Sequence, residues 1–421
     1  MDGGRLEGTA YGRQNPTYDA SLTEVGAGTP CGEWLRRFWQ PVALSSDATT
    51  RPRKVRLLGE DLILFRDRKG RPGLLYPRCM HRGTSLFYGK VEDEGIRCCY
   101  HGWLFAVDGT CLDQPCEPEH GLHRDIARQP WYPVEERYGL VFAYMGPPER
   151  KPILPHYDIL ENVGPDQELQ AFDNGLGTGG NAPGLTPPCN WLQHWENIMD
   201  PFHVVILHGT FSGTQFVADM AVMPEVNFAP VPTGMRSTQV RKLDGGRVLR
   251  RVTEVMVPSL RLVPSPVLDP GPSNGSGWTV PVSDTEYKIL NVAKMKKGAE
   301  PPRGSLYDGK RWSDLTDDQH QDFPGDYEAQ VGQGAIALHS EEHLATTDQG
   351  VAALRRFLRA QIELVAQGGD PAGAIFDPAQ EMVRIETGRS GYRWRSGHQR
   401  TNVATVPVSA QRQDAGKGAA R

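Results

Sequence analysis

The feature that most constrains this chain is a pair of short segments that each combine one cysteine with one histidine. Cys79 and His81 form the pattern C-x-H, and Cys98 and His101 form the pattern C-x-x-H. A Rieske [2Fe–2S] cluster needs this donor set, because two thiolates hold one iron and two imidazoles hold the other. Cys99 is one residue out of register with the second pattern. The sequence therefore predicts a Rieske cluster bound by Cys79, His81, Cys98 and His101.

A structural zinc site is the alternative, since two Cys and two His are also a common zinc set. Zinc fingers usually pair Cys with Cys and His with His, whereas each segment here is mixed. The spacing therefore favours the iron–sulfur cluster. A colourless protein without acid-labile sulfide would instead indicate a zinc-stabilised binding module.

A second segment, from Asn190 to His208, has mostly helical periodicity. Asp200 and His203 are three residues apart and share a helix face. His203 and His208 are five residues apart, which places them about 140° apart around an ideal helix. They converge on one metal only if the helix widens or bends. Pro201 predicts such a distortion, because it cannot donate to the carbonyl four residues back.

Together the two motifs resemble those of the Rieske non-haem iron ring-hydroxylating oxygenases. The likeness rests on Cys79-Met80-His81-Arg82-Gly83, on Cys98 and His101 followed by Gly102-Trp103, and on the spacing D-x-x-H-x-x-x-x-H. Two His and one carboxylate form the facial triad of non-haem Fe(II) oxygenases. Alone, two His on an apolar helix are more often ordinary core or surface residues. The cluster motif upstream makes the iron site the better interpretation.

The resemblance implies roles for individual residues of the second segment. His203 and His208 are implied to bind Fe(II), Asp200 to bridge the iron site and a Rieske histidine, and Asn197 to lie near the iron. By the same resemblance, the two cooperating metals lie in neighbouring subunits of a head-to-tail homotrimer. His101 is then the cluster ligand that faces Asp200.

The third iron ligand is expected further along the chain. Residues 341–351 look like the E-H-L-x-T-x-D segment of phthalate-type oxygenases, in which the Asp completes the iron site. We therefore assign Asp348, with Glu341 or Glu342 as substitutes. A plain helix N-cap is the alternative role for Asp348, because Asp is preferred there and an amphipathic helix follows.

The pattern along the chain predicts an α+β protein of four parts. Residues 1–44 form a loose arm and an anchoring helix, 45–150 the cluster-binding part, 151–395 the catalytic iron part, and 396–421 a flexible tail. Short β-prone runs separated by turns fill the second part. The resemblance implies a Rieske-type antiparallel β domain and a helix-grip (START-like) catalytic domain, in which an antiparallel sheet wraps against a long helix.

Composition narrows the class of partner. The net charge of −5 argues against a nucleic-acid partner. No apolar run approaches the length that spans a bilayer, and the N-terminus has no apolar signal core, so a cytoplasmic protein is expected. The chain lacks the G-x-G-x-x-G nucleotide fingerprint and the plant-type ferredoxin cysteine spacing. Electrons must therefore come from a separate NAD(P)H-dependent reductase, directly or through a ferredoxin.

The resemblance implies the terminal oxygenase α subunit of a multicomponent system that uses O2 to oxidise an aromatic carboxylate. A looser likeness to O-demethylases of methoxylated, lignin-derived biaryl acids favours O-demethylation with release of formaldehyde. The alternative is cis-dihydroxylation or hydroxylation of a phthalate- or halobenzoate-like acid. An alternative of another class is a Rieske electron-transfer protein, for which only two irons per chain would be expected.

A substrate carboxylate would be bound by a cation, and arginine offers a bidentate fork for it. The predicted strands of the catalytic part carry four such candidates. Each could equally lie on a solvated strand face. The candidates are Arg236, Arg241, Arg250 and Arg251.

Overall fold

The computed structural model describes residues 15–122, 124–173, 186–213, 215–264, 273–299, 310, 314–385 and 390–394. The first part of the predicted N-terminal arm, the glycine-rich segment after residue 173 and the predicted tail lie outside these ranges. No described helix is both long enough and apolar enough to cross a membrane.

Three small antiparallel sheets make up the part of the chain that carries the cysteine and histidine pairs. Their ten strands are β1 Trp39–Leu44, β2 Arg53–Leu57, β3 Glu60–Arg66, β4 Pro72–Leu75, β5 Lys90–Val91, β6 Ile96–Arg97, β7 Leu104–Phe105, β8 Cys111–Asp113, β9 Val134–Arg137 and β10 Leu140–Tyr144. The sheets have the orders β1–β10–β9, β2–β3–β4 and β5–β6–β7–β8. The predicted boundary near residue 150 falls between β10 and the next strand.

One large antiparallel sheet dominates the rest of the described chain. It has the order β12–β18–β17–β16–β15–β14–β13, and β20 pairs additionally with β15. A short parallel pair, β11 with β19, lies outside it. The strands are β11 His156–Tyr157, β12 Gln167–Asp173, β13 Glu225–Val231, β14 Gly234–Lys242, β15 Arg247–Met256, β16 Leu260–Leu262, β17 Gly275–Ser283, β18 Glu286–Lys296, β19 Met382–Val383 and β20 Ser390–Trp394.

The helices include one long element, which packs on the sheet. They are α1 Ala20–Thr23, α2 Pro30–Leu35, α3 Trp191–Met199, α4 His203–Ile206, a π-helix Leu207–Phe211, α5 Asp317–Asp322, α6 Asp326–Val331 and α7 Gln349–Ala366. Helix α7 packs on α2, α3 and β14. Its buried stripe includes Val351, Leu354, Leu358 and Ile362, as its apolar periodicity predicts. The predicted fold class, a small β part beside an antiparallel sheet gripping a long helix, is confirmed.

The largest hydrophobic cluster among the described residues contains residues of both parts. Trp34, Trp191 and Trp278 are buried within it, together with apolar residues of β2, β3 and β10. A hairpin turn from the first part reaches into the second. Leu58 and Gly59 connect β2 and β3 with φ of 49° and 79°, as the tight primed hairpin turns require. Their N–H groups donate to the carbonyls of Pro281 (3.1 Å) and Val282 (2.9 Å) in β17.

Candidate active site

The two Cys/His segments form matching loops. The N–H of Gly83 donates to the carbonyl of Cys79 (2.8 Å), and the N–H of Gly102 donates to that of Cys98 (3.1 Å). Both glycines have positive φ, 76° and 74°, a conformation that residues with a Cβ rarely adopt. The glycine after each histidine pattern therefore lets the chain turn back, so that the two loops face each other.

The predicted cluster ligands line one small cavity between these loops. Cys79 and Cys98 are buried, whereas His81 and His101 are half-buried at its mouth. The two imidazole centroids lie 4.6 Å apart, and the His81 ring stacks on Trp103 at 4.5 Å. Burial raises the pKa of the Cys79 thiol to about 11, so a bound metal ion is needed to keep it as a thiolate. Buried thiols behind imidazoles near the surface fit a Rieske cluster.

The second motif is broken into two helices, and the break positions Asp200. Helix α3 ends at Met199 and Asp200 caps its C-terminus. The Asp200 Oδ1 accepts hydrogen bonds from the N–H of Phe202 (2.8 Å) and of His203 (3.3 Å). Its Oδ2 lies 3.6 Å from Nδ1 of His203. The carboxylate of Asp200 is thus held against the side of the His203 ring.

The distortion predicted at Pro201 takes a different form. Pro201 lies between α3 and α4, and the widening occurs later, in the π-helix Leu207–Phe211. His208 lies in that π-helix, whose wider turn rotates the side chain from its α-helical position. The centroids of the His203 and His208 rings lie 5.3 Å apart as a result.

Asp326, the first residue of α6, completes a convergent set with the two histidines. Its Oδ1 lies 3.1 Å from Nε2 of His208 and 3.6 Å from Nε2 of His203. One ligand atom from each of the three residues lies within 4.8 Å of the other two. Two imidazoles and one carboxylate with room for further ligands are the donor set of mononuclear non-haem iron. The residues therefore fit Fe(II).

Neighbouring amides orient this set. Nδ1 of His208 lies 2.7 Å from Oε1 of Gln215, so it donates to that oxygen and Nε2 remains available for a metal. The Asn197 amide donates to Oδ1 of Asp326 (3.3 Å). Asn197 therefore lies at the proposed iron site, where the sequence analysis expects it.

The charges in the site stabilise one another. Burial alone would raise the pKa of Asp326, but His208 and His203 hold it well below its usual range. Burial opposes protonation of His208, yet Asp326 raises its pKa. The carboxylate is thus ionised and ready to bind a cation.

The assignment of Asp348 as third ligand needs correction. Asp348 precedes α7, and its Oδ2 accepts a hydrogen bond from the N–H of Ala345 (2.7 Å). With the substitutes Glu341 and Glu342, it lines a separate groove of about 540 Å³ that also touches Asp200 and His203. Asp348 occupies the N-cap position of α7 but makes no side-chain hydrogen bond to that helix, and we replace it by Asp326 in the proposed ligand set.

Little in the sequence identifies Asp326 as a metal ligand. It follows Pro324-Gly325 in a short helix, far from both histidines, and no fixed spacing links it to them. Only the packing of α6 against α3 brings it to the site.

A cavity of about 260 Å³ opens beside the three side chains. Arg251 and Arg261 are part of its wall, along with His194, Phe216 and Met220. Among the four arginines proposed from the sequence, Arg251 alone lines it. Arg236 pairs with Glu254, Arg241 is buried behind Gln239, and Arg250 is exposed. Arg261 escaped the sequence analysis because its strand, β16, has only three residues.

Comparisons with known proteins agree with this arrangement. A family model described as the Rieske [2Fe-2S] domain matches residues 38–133. The phenoxybenzoate dioxygenase α subunit of Ectopseudomonas oleovorans is 54% identical over 90% of this chain and 93% of its own length. The 5,5′-dehydrodivanillate O-demethylase oxygenase subunit of Sphingobium sp. (strain NBRC 103272 / SYK-6) is 32% identical over 85% of this chain and 82% of its own length.

Solved structures support the fold. The NdmA QL mutant of Pseudomonas putida CBB5 with caffeine matches 88% of this chain and 99% of its own, with a TM-score of 0.58 and 20% identity. The predicted cofactors, a Rieske cluster and mononuclear iron, follow from the family relationship. The chain belongs to the Rieske non-haem iron aromatic oxygenases and is a terminal oxygenase α subunit.

Proposed function

We propose that this oxygenase inserts O2 into an aromatic acid with two rings, of the phenoxybenzoate type, by dioxygenation. The observation that carries the proposal is the arrangement of the catalytic cavity, in which the His203, His208 and Asp326 set faces a wall containing Arg251 and Arg261. Bound iron would supply the activation of O2, and the cluster would supply electrons.

Arg261 is the side chain best suited to bind the substrate carboxylate. Its Nη2 donates to Oδ1 of Asn291 (2.9 Å), which fixes the guanidinium. Its Nε has no hydrogen-bond partner among the described residues. Burial lowers the pKa of Arg261, so an anionic ligand would relieve the cost of its charge.

A second cavity adjoins the first and bears on the size of the substrate. This outer cavity has a volume of about 270 Å³, and Arg261 and Val263 belong to the walls of both. A carboxylate held at Arg261 would leave space on either side of the guanidinium. Two adjoining cavities suit an acid with two rings better than a single benzoate.

Dioxygenation is preferred over the O-demethylation that the sequence analysis favours. The relative named as a phenoxybenzoate dioxygenase is considerably more similar to this chain than the relative named as an O-demethylase. O-demethylation of a methoxylated biaryl acid remains the second candidate function, because both relatives match most of the chain.

The test uses iron-replete oxygenase with a surrogate reductase, NADH and O2. The acids offered are 3-phenoxybenzoate, phthalate, 3-chlorobenzoate and 5,5′-dehydrodivanillate, and products are identified by mass. Dioxygenation predicts incorporation of both atoms of 18O2 into the product from 3-phenoxybenzoate. Formaldehyde released in equal amount from a methoxylated acid, without turnover of 3-phenoxybenzoate, would replace dioxygenation by O-demethylation.

The partners follow from the same proposal. A separate NAD(P)H-dependent reductase, with or without a ferredoxin, would reduce the cluster. We further propose a cytoplasmic head-to-tail homotrimer, in which Asp200 connects the iron site to His101 of a neighbouring cluster. The position of Asp200 against the His203 ring supports this role, since Asp200 lines the substrate cavity and also the separate groove next to it.

A further inference from the structure

His194 is a buried histidine of the catalytic cavity with no part in the proposed iron site. It lies in α3 and is only 3% exposed, yet its side chain contributes to the cavity wall. Its ring stacks on Tyr287, with centroids 5.2 Å apart. The imidazole is thus fixed in orientation at the edge of the substrate space.

Gln330 determines which nitrogen of His194 carries the proton. Its Oε1 lies 3.2 Å from Nδ1 of His194 and accepts the hydroxyl of Tyr287 at 2.7 Å. Because an amide oxygen only accepts, the His194 proton resides on Nδ1 and Nε2 carries a lone pair. Gln330 is fully buried and lies one helical turn after Asp326 in α6. The same short helix therefore holds the iron-site carboxylate and sets the His194 tautomer.

Nε2 of His194 is left without a protein partner. It makes no hydrogen bond with any residue that the structure describes. Burial, reinforced by the charge of Arg261, lowers the pKa of His194 to about 3, so the ring is neutral at working pH. A buried acceptor without a donor costs about 1–3 kcal/mol, so buried ring nitrogens are normally paired. Because the His194 ring lines the cavity, this neutral acceptor is suited to an O–H group of a ligand.

We propose that Nε2 of His194 accepts a hydrogen bond from a hydroxyl group on the substrate, so that the site prefers hydroxylated two-ring acids. This inference rests on the proposed function, because it places the hydroxylated acid in the cavity beside Arg261. Arg261 would bind the carboxylate, and His194 would accept a hydrogen bond from the hydroxyl group of the same ligand. Between them they would fix the position of the ring relative to the iron.

The test measures binding without turnover. Anaerobic holo-oxygenase is titrated calorimetrically with 3-phenoxybenzoate, its mono-hydroxylated isomers and the matching methoxy compounds. A methoxy group has no proton to donate, so each pair isolates the donated hydrogen bond. We expect at least one hydroxy isomer to bind about 3- to 10-fold more tightly than its methoxy partner, the value of one hydrogen bond.

Two variants separate recognition from structure. His194→Phe keeps an aromatic ring on Tyr287 but removes the acceptor, so the hydroxy-to-methoxy affinity ratio should fall to about one. His194→Gln retains an acceptor and should keep part of the ratio. A purely structural role would weaken both ligands equally and leave the ratio unchanged.

Two results would overturn the inference. One is a wild-type protein that binds the hydroxy and the methoxy member of every pair with equal affinity. This result does not depend on the folding of any variant. The other is a wild-type preference that persists in His194→Phe. If no acid of the set binds at all, the proposed function fails as well. If 3-phenoxybenzoate binds but no hydroxy compound is preferred over its methoxy partner, only the role of His194 is excluded.

Discussion

Asp326 provides the carboxylate on which the proposed iron site depends, because its Oδ1 approaches Nε2 of both His203 and His208. In Asp326→Asn the site loses its negative charge but keeps its shape. Supporting residues of metal sites contribute about 10- to 100-fold in affinity, and a ligand contributes at least as much. We expect iron beyond the two atoms of the cluster to fall at least about tenfold. Total iron and acid-labile sulfide per chain measure this directly.

Asp348→Asn is the matched control for that prediction. The side chain of Asp348 caps the chain before α7, and an amide oxygen accepts the same hydrogen bond. Its iron content should equal that of the wild type. If Asp348→Asn lost the third iron and Asp326→Asn kept it, the ligand set proposed above would be wrong.

Asp200→Asn tests the bridging role at the same scale. The asparagine keeps the hydrogen bonds to the backbone N–H groups of Phe202 and His203 but removes the charge beside the His203 ring. We expect both metals to be retained and product formation to be lost. The readouts are iron content, the spectrum of the reduced cluster and the rate at which that cluster is reoxidised in the presence of substrate and O2. Full turnover in an iron-replete variant would exclude the role.

Arg261→Gln tests carboxylate recognition. Removing a charged hydrogen-bond donor costs about 1.5–3 kcal/mol, so KM for an aromatic acid should rise about 10- to 100-fold. Asn291→Asp is a complementary variant, because it places a carboxylate 2.9 Å from Arg261 that competes with the substrate. It should raise KM without removing the arginine. An unchanged KM in both variants would show that the acid binds elsewhere.

Residues of the candidate site could be predicted from the sequence only where side chains of suitable chemistry also lie at a characteristic spacing from one another. Cys79, His81, Cys98 and His101 form short patterns within two loops, and the structure places them at one cavity. His203 and His208 lie on one segment and meet through a local change in helix geometry. Asp326 and Arg261 are brought in by distant elements, and their chemical type does not distinguish them from other acidic or basic residues.

At the scale of elements, the π-helix is the clearest case of a prediction correct in kind and wrong in place. The five-residue interval requires a widened turn, but the sequence analysis attributed it to Pro201. Pro201 instead separates α3 from α4, since Asp200 already leaves helical geometry. The widened turn then forms at Leu207–Phe211, where it positions His208.

Helix α7 is attached to α3 by buried charges as well as by apolar packing. Arg355 binds Glu196 through Nε (2.5 Å) and Nη2 (2.7 Å), and it also pairs with Glu342. Burial raises the pKa of Glu196, which the arginine opposes. Glu196 adjoins Asn197, so this pair connects the long helix to the wall of the site.

Arg355→Met should therefore lower the free energy of unfolding by about 3–5 kcal/mol, the cost of leaving a buried charge unpaired. Arg359→Met is the control, because Arg359 is half exposed on the same helix and pairs with Asp19 at the surface. The Arg359→Met variant should change the free energy of unfolding by no more than about 1 kcal/mol. Chemical denaturation followed by tryptophan fluorescence compares the two, and equal effects would contradict the structural role of Arg355.

At the scale of the whole molecule, the proposed trimer makes a prediction about mixed assemblies. Cys79→Ser cannot bind the cluster normally and Asp326→Asn lacks the iron, so each alone should be inactive. If electrons cross between subunits of a ring, purified mixed trimers should regain about a third of wild-type activity, because one of their three interfaces joins an intact cluster to an intact iron site. Differently tagged chains allow the mixed assemblies to be purified and their size measured. Assembled but inactive mixtures would indicate transfer within one chain.

The turn at Leu58-Gly59 has a consequence for engineering hybrid enzymes. Because this turn forms hydrogen bonds with β17 and Leu58 is fully buried, a segment of the cluster-binding part contributes to the packing of the catalytic part. Arg36 reinforces the joint by donating to the carbonyl of Leu58 (3.2 Å). A foreign electron-accepting module grafted onto this catalytic scaffold must therefore retain a turn equivalent to Leu58-Gly59, so that it can donate to the carbonyls of Pro281 and Val282 in the scaffold. If the two source proteins of a hybrid were joined only at the linker near residue 150, the residues of one hydrophobic core would come from two different proteins.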